Sequence, residues 1–194
     1  PRANPFVNDS FELYRWAIAA THGWQLGEDT NLKTSAYYTY LNRDWWRQSS
    51  NSSQRPNDSS DPACASITNL LTTCGNEGRL RQYYTAGLEQ RLTSLGFIGD
   101  AQHETSIGIR WHVEKQSRLQ INGDTPNARI AGSGINGGIR EDNRRDVEAL
   151  AAFWQTRFDM GRLGLTPGLR YERIEYDRRN FLNEARGSSE LEQV

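Results

Sequence analysis

The chain has 194 residues, 23 basic against 24 acidic, for a formal net charge of −1, and a mean hydropathy of −0.80. Near-neutral charge with no basic, aromatic-laced patch gives no case for a nucleic-acid partner. The absence of any run of about 18 apolar residues excludes a transmembrane helix. The opening Pro1-Arg2-Ala3-Asn4-Pro5 has no apolar signal-peptide core, and the polar stretch at 183–194 ends abruptly, so the chain reads as a piece of a larger protein.

Along the chain, six stretches alternate apolar and polar residues for ten or more positions. The first runs from Glu12 to Leu26 and sets Tyr14, Trp16, Ile18, Ala20, His22, Trp24 and Leu26 on one side. From Tyr14 to Trp24 is ten steps; at ~3.3 Å each and a tilt near 45° they span roughly 23 Å, close to the apolar band of an outer-membrane barrel. After a turn at 27–30 comes a second strand, Asn31 to about Asp44. It puts Leu32, Thr34, Ala36, Tyr38 and Tyr40 toward lipid, and Lys33, Ser35, Tyr37, Thr39 and Arg43 toward a lumen.

A polar segment of about 45–78 follows and holds Cys64 and Cys74, with no further metal ligands nearby. A disulfide closing a surface loop is expected, worth on the order of 2–3 kcal/mol and placing the loop in an oxidising compartment. The third strand spans Arg79 to Thr93, with Leu80, Tyr84, Ala86, Leu88 and Leu92 on one side and Arg81, Tyr83, Thr85, Gly87, Glu89 and Arg91 on the other. The fourth carries Ile107, Ile109, Trp111 and Val113 outward, and Glu104, Gly108, Arg110 and His112 inward.

A second long loop is expected at about 115–145. Its glycines between Gly132 and Gly138 lack the strand-to-helix setting of a phosphate cradle, so a flexible loop is the reading. The fifth strand, about Asp146 to Phe158, is apolar on both sides and its frame stays open. The sixth runs from Leu163 to Tyr176, and a third outer loop is expected from 177. Short turns at one end and long loops at the other give an all-β fold: an antiparallel transmembrane β-barrel segment of about six strands.

Enzyme signals are weak. His22, His103 and His112 share no metal spacing, and no serine sits in a nucleophile elbow. Arginines carry more. Arg43, Arg81 and Arg140 fall at outer strand ends or in the loops above, and guanidinium forks converging from several strands would make a cup for a polyanion. Solvated loop arginines are common, however, and Arg91, Arg110 and Arg170 with Glu89, Glu104 and Glu172 read as ion-pair ladders inside the wall.

The run Arg81-Gln82-Tyr83-Tyr84-Thr85-Ala86-Gly87-Leu88-Glu89-Gln90-Arg91 resembles a strand of the TonB-dependent ferric citrate receptors, as does His103-Glu104 with Gly108-Ile109-Arg110. Leu165-Thr166-Pro167-Gly168-Leu169-Arg170-Tyr171-Glu172 is similar to a strand signature widespread in TonB-dependent receptors. The resemblance runs from about Phe11 to Tyr176. It implies that residues 1–194 are part of a receptor barrel of about 22 strands enclosing a plug, with plug, signal peptide and remaining strands outside the chain.

It further implies a bacterial outer-membrane transporter, not an enzyme, that imports a ferric chelate such as ferric citrate. Energy would come from TonB through a plug segment, and loops would close over the ligand. No cofactor is implied, since ferric iron belongs to the transported chelate. By position Arg43 and Arg81 match arginines that grip citrate carboxylates. Arg140 matches a third with a one-residue gap, whereas an ungapped match puts Glu141 there. The Cys64–Cys74 loop departs from the family pattern. A passive porin and a receptor for another siderophore are the alternatives. Haem fits less well, because the two long loops contain no histidine.

Overall fold

A computed structural model describes residues 7–48, 62–64, 66–99, 101–134, 137–184 and 186–193. Eight strands form one antiparallel sheet: β1 (Ser10–Gln25), β2 (Thr30–Gln48), β3 (Asn76–Ile98), β4 (Ala101–Gly123), β5 (Gly138–Met160), β6 (Leu163–Leu165), β7 (Gly168–Asn180) and β8 (Arg186–Gln193). Neighbours follow chain order, β1-β2-β3-β4-β5-β7-β8, with the short β6 beside β5. The break between β6 and β7 falls at Thr166-Pro167. Proline has no N–H for the ladder, and the Pro167 carbonyl still accepts a 3.0 Å bond from Thr156 N. A helix α1 (Ile67–Thr72) lies in the β2–β3 connection.

Period-two alternation gathers the large apolar side chains of the band, Phe153 apart, on one face, the outer face. Trp24, Leu32, Leu92, Ile107, Trp154 and Leu169 stand directly opposite one another across β1 to β7. Above them, aromatic rings meet: Trp16 against Tyr38 with centroids 5.1 Å apart, Tyr14 against Tyr40 at 6.2 Å, and Tyr40 against Tyr84 at 4.9 Å. This is an aromatic girdle at a membrane interface.

The upper edge of the band is sharp. The continuous run of apolar outer-face residues ends at Tyr14, Tyr40, Tyr84, Val113, Leu150 and Tyr171, and the next outer-face positions are Glu12, Asn42, Gln82, Lys115, Glu148 and Arg173. The edge is not parallel to the ladder rows. From β1 to β7 it descends eight residues over five strand steps. At ~3.3 Å per residue and ~4.8 Å per strand that is a slope of about 45°. Strands tilted by that angle bring the slanted edge level with a flat membrane, as barrel closure requires.

The register settles the fifth strand. Leu150, Ala152 and Trp154 share the outer face, and Ala149, Ala151 and Phe153 turn inward. Phe153 fits there because its partner is Gly108: a Cβ on Gly108 would lie 2.2 Å from the Phe153 ring. Gly87 makes the same room for Tyr37, whose oxygen would be 2.3 Å from an added Cβ. Gly108→Val in the complete barrel is therefore expected to cost about 1–3 kcal/mol through overpacking, read as a lowered midpoint of urea unfolding.

Strands extend beyond the reach of the alternation. Residues 45–48, 76–78, 115–123 and 138–145 are strand, and so are 177–180 and 186–193, where a third loop was expected. Neither face of these extensions meets lipid, so they carry no continuous apolar stripe. Residues 49–61 of the first expected loop lie outside the described residues. Two short connections are tight turns, closed by Ile98↔Ala101 and Met160↔Leu163, with Gly99 at φ 62° and Gly161 at φ 66°, whereas β1 and β2 are joined through residues 26–29, where Leu26 N donates to the Thr30 carbonyl at 2.9 Å. A left-handed residue is what a tight hairpin needs to follow the sheet twist.

Candidate functional site: an arginine cup above the membrane band

Each long loop is tied to the outer face. Cys64 and Cys74 form the expected disulfide, Cα atoms 4.7 Å apart, and enclose Leu70 in a small core. Gln48 Nε2 donates to the Leu70 carbonyl, and Gln48 N donates to Asp9 Oδ1 at 2.8 Å. Trp46 lies flat over Gly78, and the Arg129 guanidinium covers it 5.0 Å from the ring centroid. Arg129 Nη2 reaches the Asn8 carbonyl at 2.9 Å, and Asn76 Nδ2 reaches the Ala128 carbonyl at 3.0 Å.

The glycine-rich stretch does form an anion-holding turn, occupied from within. Ser133 N donates to Asp124 Oδ2 at 2.7 Å, and Gly134 N donates to both Asp124 oxygens at 3.0 and 3.1 Å. Residues 135–136 of that stretch lie outside the described residues. The described parts of both loops therefore brace the wall from its outer face.

That inner face is cationic above the band. Arg43 on β2, Arg81 on β3 and Arg118 on β4 are direct register partners, forming one row of three guanidinium groups. Arg47 and Arg79 lie above the row and Arg145 lies below it, against Glu77 and Glu141 as the acids. Arg47 Nη2 is 3.1 Å from Glu77 Oε1, Arg79 pairs with the same oxygen, and the two guanidiniums flank the Trp45 ring at 5.0 and 5.8 Å. Phe11 and Leu13 continue this surface onto β1, opposite Trp45 and Arg43.

Arg81 is the centre of the row and is only 4% exposed. Its Nη1 donates to the carbonyls of Leu80 and Leu119 at 3.2 and 3.1 Å, and its Nη2 to Glu141 Oε2 at 2.6 Å. Glu141 Oε1 accepts from Asn143 Nδ2 at 2.8 Å, with Arg118 Nε at 3.2 Å. Burial pushes the Glu141 carboxyl up, but the Asn143 hydrogen bond and the charges of Arg81 and Arg118 outweigh it and hold it below its ordinary value. Burial lowers the Arg81 guanidinium, with Glu141 opposing and Arg118 adding to the effect; it stays charged regardless. The pair therefore contributes fully above the ordinary glutamate range, and that contribution is lost only as pH falls through the lowered carboxyl value.

Of the arginines singled out from the sequence, Arg43 and Arg81 are brought face to face. Arg140 is the extra residue of a β-bulge, since Gln120 pairs with Glu141 and Ile121 with Ile139, and its side chain is exposed at the rim. Arg118 and Arg145 were hidden in an expected loop. Arg43 Nε and Arg145 Nε are buried with no hydrogen-bond partner among the described residues, and Arg118 Nε has only the Glu141 ion pair at 3.2 Å. Lower down the inner face the polar groups satisfy one another: Arg110 donates to Tyr37 Oη at 2.8 Å, Tyr37 Oη lies 2.6 Å from His112 Nδ1, and His112 Nε2 lies 3.0 Å from Glu114.

A slanted antiparallel wall, apolar and girdled outside, polar and cationic within, defines a segment of an outer-membrane β-barrel. The chain belongs to the family described as TonB dependent receptor-like, beta-barrel, whose profile matches residues 2–191, and such proteins reside in the bacterial outer membrane. Its fold is similar to that of the unliganded ferric citrate transporter FecA, with a TM-score of 0.76 and 19% identity over 97% of this chain and 25% of that one. It is also similar to the siderophore receptor PiuA from Acinetobacter baumannii (0.67, 11%, 95% and 29%) and to the open form of the ferric-catecholate import receptor Fiu from E. coli K12 (0.64, 14%, 97% and 31%). At these identities the likeness is one of fold. The chain spans about a quarter to a third of the length of those proteins.

Proposed function

We infer that the complete receptor binds an anionic ferric chelate in this cup and imports it, with ferric citrate as the first candidate. Energy would come from TonB through a plug segment outside the chain. The observation that carries the reading is the pair of buried, unpartnered guanidinium nitrogens on Arg43 and Arg145. A buried charged donor without an acceptor is costly, and a ligand carrying several carboxylates would satisfy both at once. Arg43 and Arg81 are the core contacts, and Arg140 contributes from the rim. The excess of arginine over acid also draws polyanions from a distance. Family membership and the fold likeness to a ferric citrate transporter support the assignment; the likeness to siderophore and ferric-catecholate receptors keeps other ferric chelates within it.

Calorimetric titration of the complete receptor with ferric citrate, a ferric hydroxamate and haem tests it. Ferric citrate is expected to bind, and haem and a neutral hydroxamate are not. Binding of the neutral chelate alone would overturn the cup as the capture site.

A further inference from the structure

Glu141 is held as a ligand carboxylate would be held. One oxygen takes a 2.6 Å bond from Arg81, and the other takes the Asn143 amide at 2.8 Å with Arg118 at 3.2 Å. Arg81 lies behind it at 4% exposure, whereas Glu141 keeps 21% and Arg118 26%. A molecule arriving in the lumen therefore meets the Glu141 carboxylate before it meets Arg81.

Glu141 also follows directly on the bulged Arg140. A bulge breaks the ladder locally and re-aims the side chains beside it, so this carboxylate sits where the strand is most easily adjusted. Asn143, two residues on and buried, is back in regular pairing with Arg118 and anchors the strand below.

We propose that Glu141 is a tethered stand-in for the carboxylate of the transported anion: it fills the Arg81–Arg118 clamp while the cup is empty and yields that place when a multiply charged chelate enters. The proposal rests on the reading of this face as an anion cup. An empty clamp would leave the Arg81 guanidinium buried without a counter-charge, which is strongly destabilising. A resident carboxylate removes that penalty and sets a threshold. A monocarboxylate exchanges one for one with Glu141 and gains nothing. A chelate with several carboxylates replaces Glu141 and also engages the unpartnered Arg43 Nε and Arg145 Nε. Glu141 is thus a specificity-determining residue that rejects small abundant anions and admits large polyanionic ones.

The test uses the complete receptor and its Glu141→Gln and Glu141→Ala variants, each checked for folding by heat-modifiable gel mobility. Glutamine keeps the size and one acceptor oxygen of the side chain, so it guards against loss of folding. Affinity for ferric citrate is expected to rise about tenfold in Glu141→Gln, about 1.4 kcal/mol. Acetate at high concentration, without effect on wild type, should now compete. If Glu141 is only a structural counter-charge for Arg81, the variants will lower thermal stability while affinity stays level or falls and acetate remains inert, which overturns the proposal. If the wild-type receptor binds no anionic ferric chelate at all, the anion-cup reading itself fails, and the stand-in fails with it.

Discussion

Arg81→Ala in the complete receptor is expected to weaken ferric citrate binding about 100-fold, and Arg43→Ala about tenfold. Arg81 is buried and makes three charge-assisted contacts, to the Leu80 and Leu119 carbonyls and to Glu141. Truncating one member of a buried, hydrogen-bonded charge pair costs about 2–5 kcal/mol in binding, and 100-fold corresponds to about 2.7 kcal/mol. Arg43 contributes a single row position with an unpartnered Nε; loss of one charged hydrogen bond is worth about 1.5–3 kcal/mol, partly offset by water entering its place. Arg81→Lys should not rescue, because an ammonium cannot span two carbonyls and a carboxylate in fork geometry. Arg140→Ala, at an exposed bulge, should change affinity only about two- to threefold. Titration calorimetry reads all four variants. Unchanged affinity in both Arg43→Ala and Arg81→Ala removes the proposed cup.

The same variants couple to Glu141. With Arg81 gone, the resident carboxylate has lost its main partner, so adding Glu141→Gln to Arg81→Ala should bring little of the gain it brings alone. Side chains in one ion-pair network are non-additive by about 0.5–3 kcal/mol, and a double-mutant cycle measures this. Additivity would mean that Glu141 and Arg81 act on the ligand independently, against the clamp geometry.

The wall was legible in the sequence wherever one face met lipid and the other water. Tyr14 to Trp24 and Ile107 to Val113 announce their orientation because alternate residues must be apolar. That signal stops at the upper edge of the band. Beyond Tyr84, Val113 and Leu150 neither face meets lipid, and a strand such as 115–123 has the composition of a loop. Arg118 and Arg145 were hidden for this reason, and with them half of the cup. The frame of β5 was hidden differently. Phe153 points into a polar lumen because Gly108 leaves it room, and only the register pairs the two. A glycine two or three strands' length away from an aromatic is no local motif, although the recurrence of Gly78 under Trp46, Gly87 under Tyr37 and Gly108 under Phe153 makes it a regular device of this wall. The bulge at Arg140, which decides between Arg140 and Glu141 as the partner of Arg81, depends on pairing with Gln120 and Ile121 and leaves no trace in the residue types.

Replacing Cys64 and Cys74 together with serine is expected to release the β2–β3 loop without touching the cup. The bridge closes a loop across ten residues, a constraint worth about 2.5–3 kcal/mol, or about 100-fold in the ratio of open to closed loop. Among the described residues little else holds the segment. Its buried apolar cluster is Leu70 with the two cysteines, and α1 has six residues, too few for a helix to persist by itself. The Ser66 cap, accepting from Asn69 N at 3.1 Å, adds about 1 kcal/mol. Opening would also take the Leu70 carbonyl from the fully buried Gln48, so the loosening should reach the top of β2. Amide hydrogen exchange of residues 66–76 in the complete barrel is expected to quicken about 100-fold, while the band strands keep their protection. Because Gln48 and Trp46 lie on the outer face and Arg43 and Arg81 on the inner one, ferric citrate affinity should stay within about twofold. Unchanged exchange would show that the loop is held by packing rather than by the bridge, and a large loss of affinity would show that the outer brace and the inner cup are not mechanically separate.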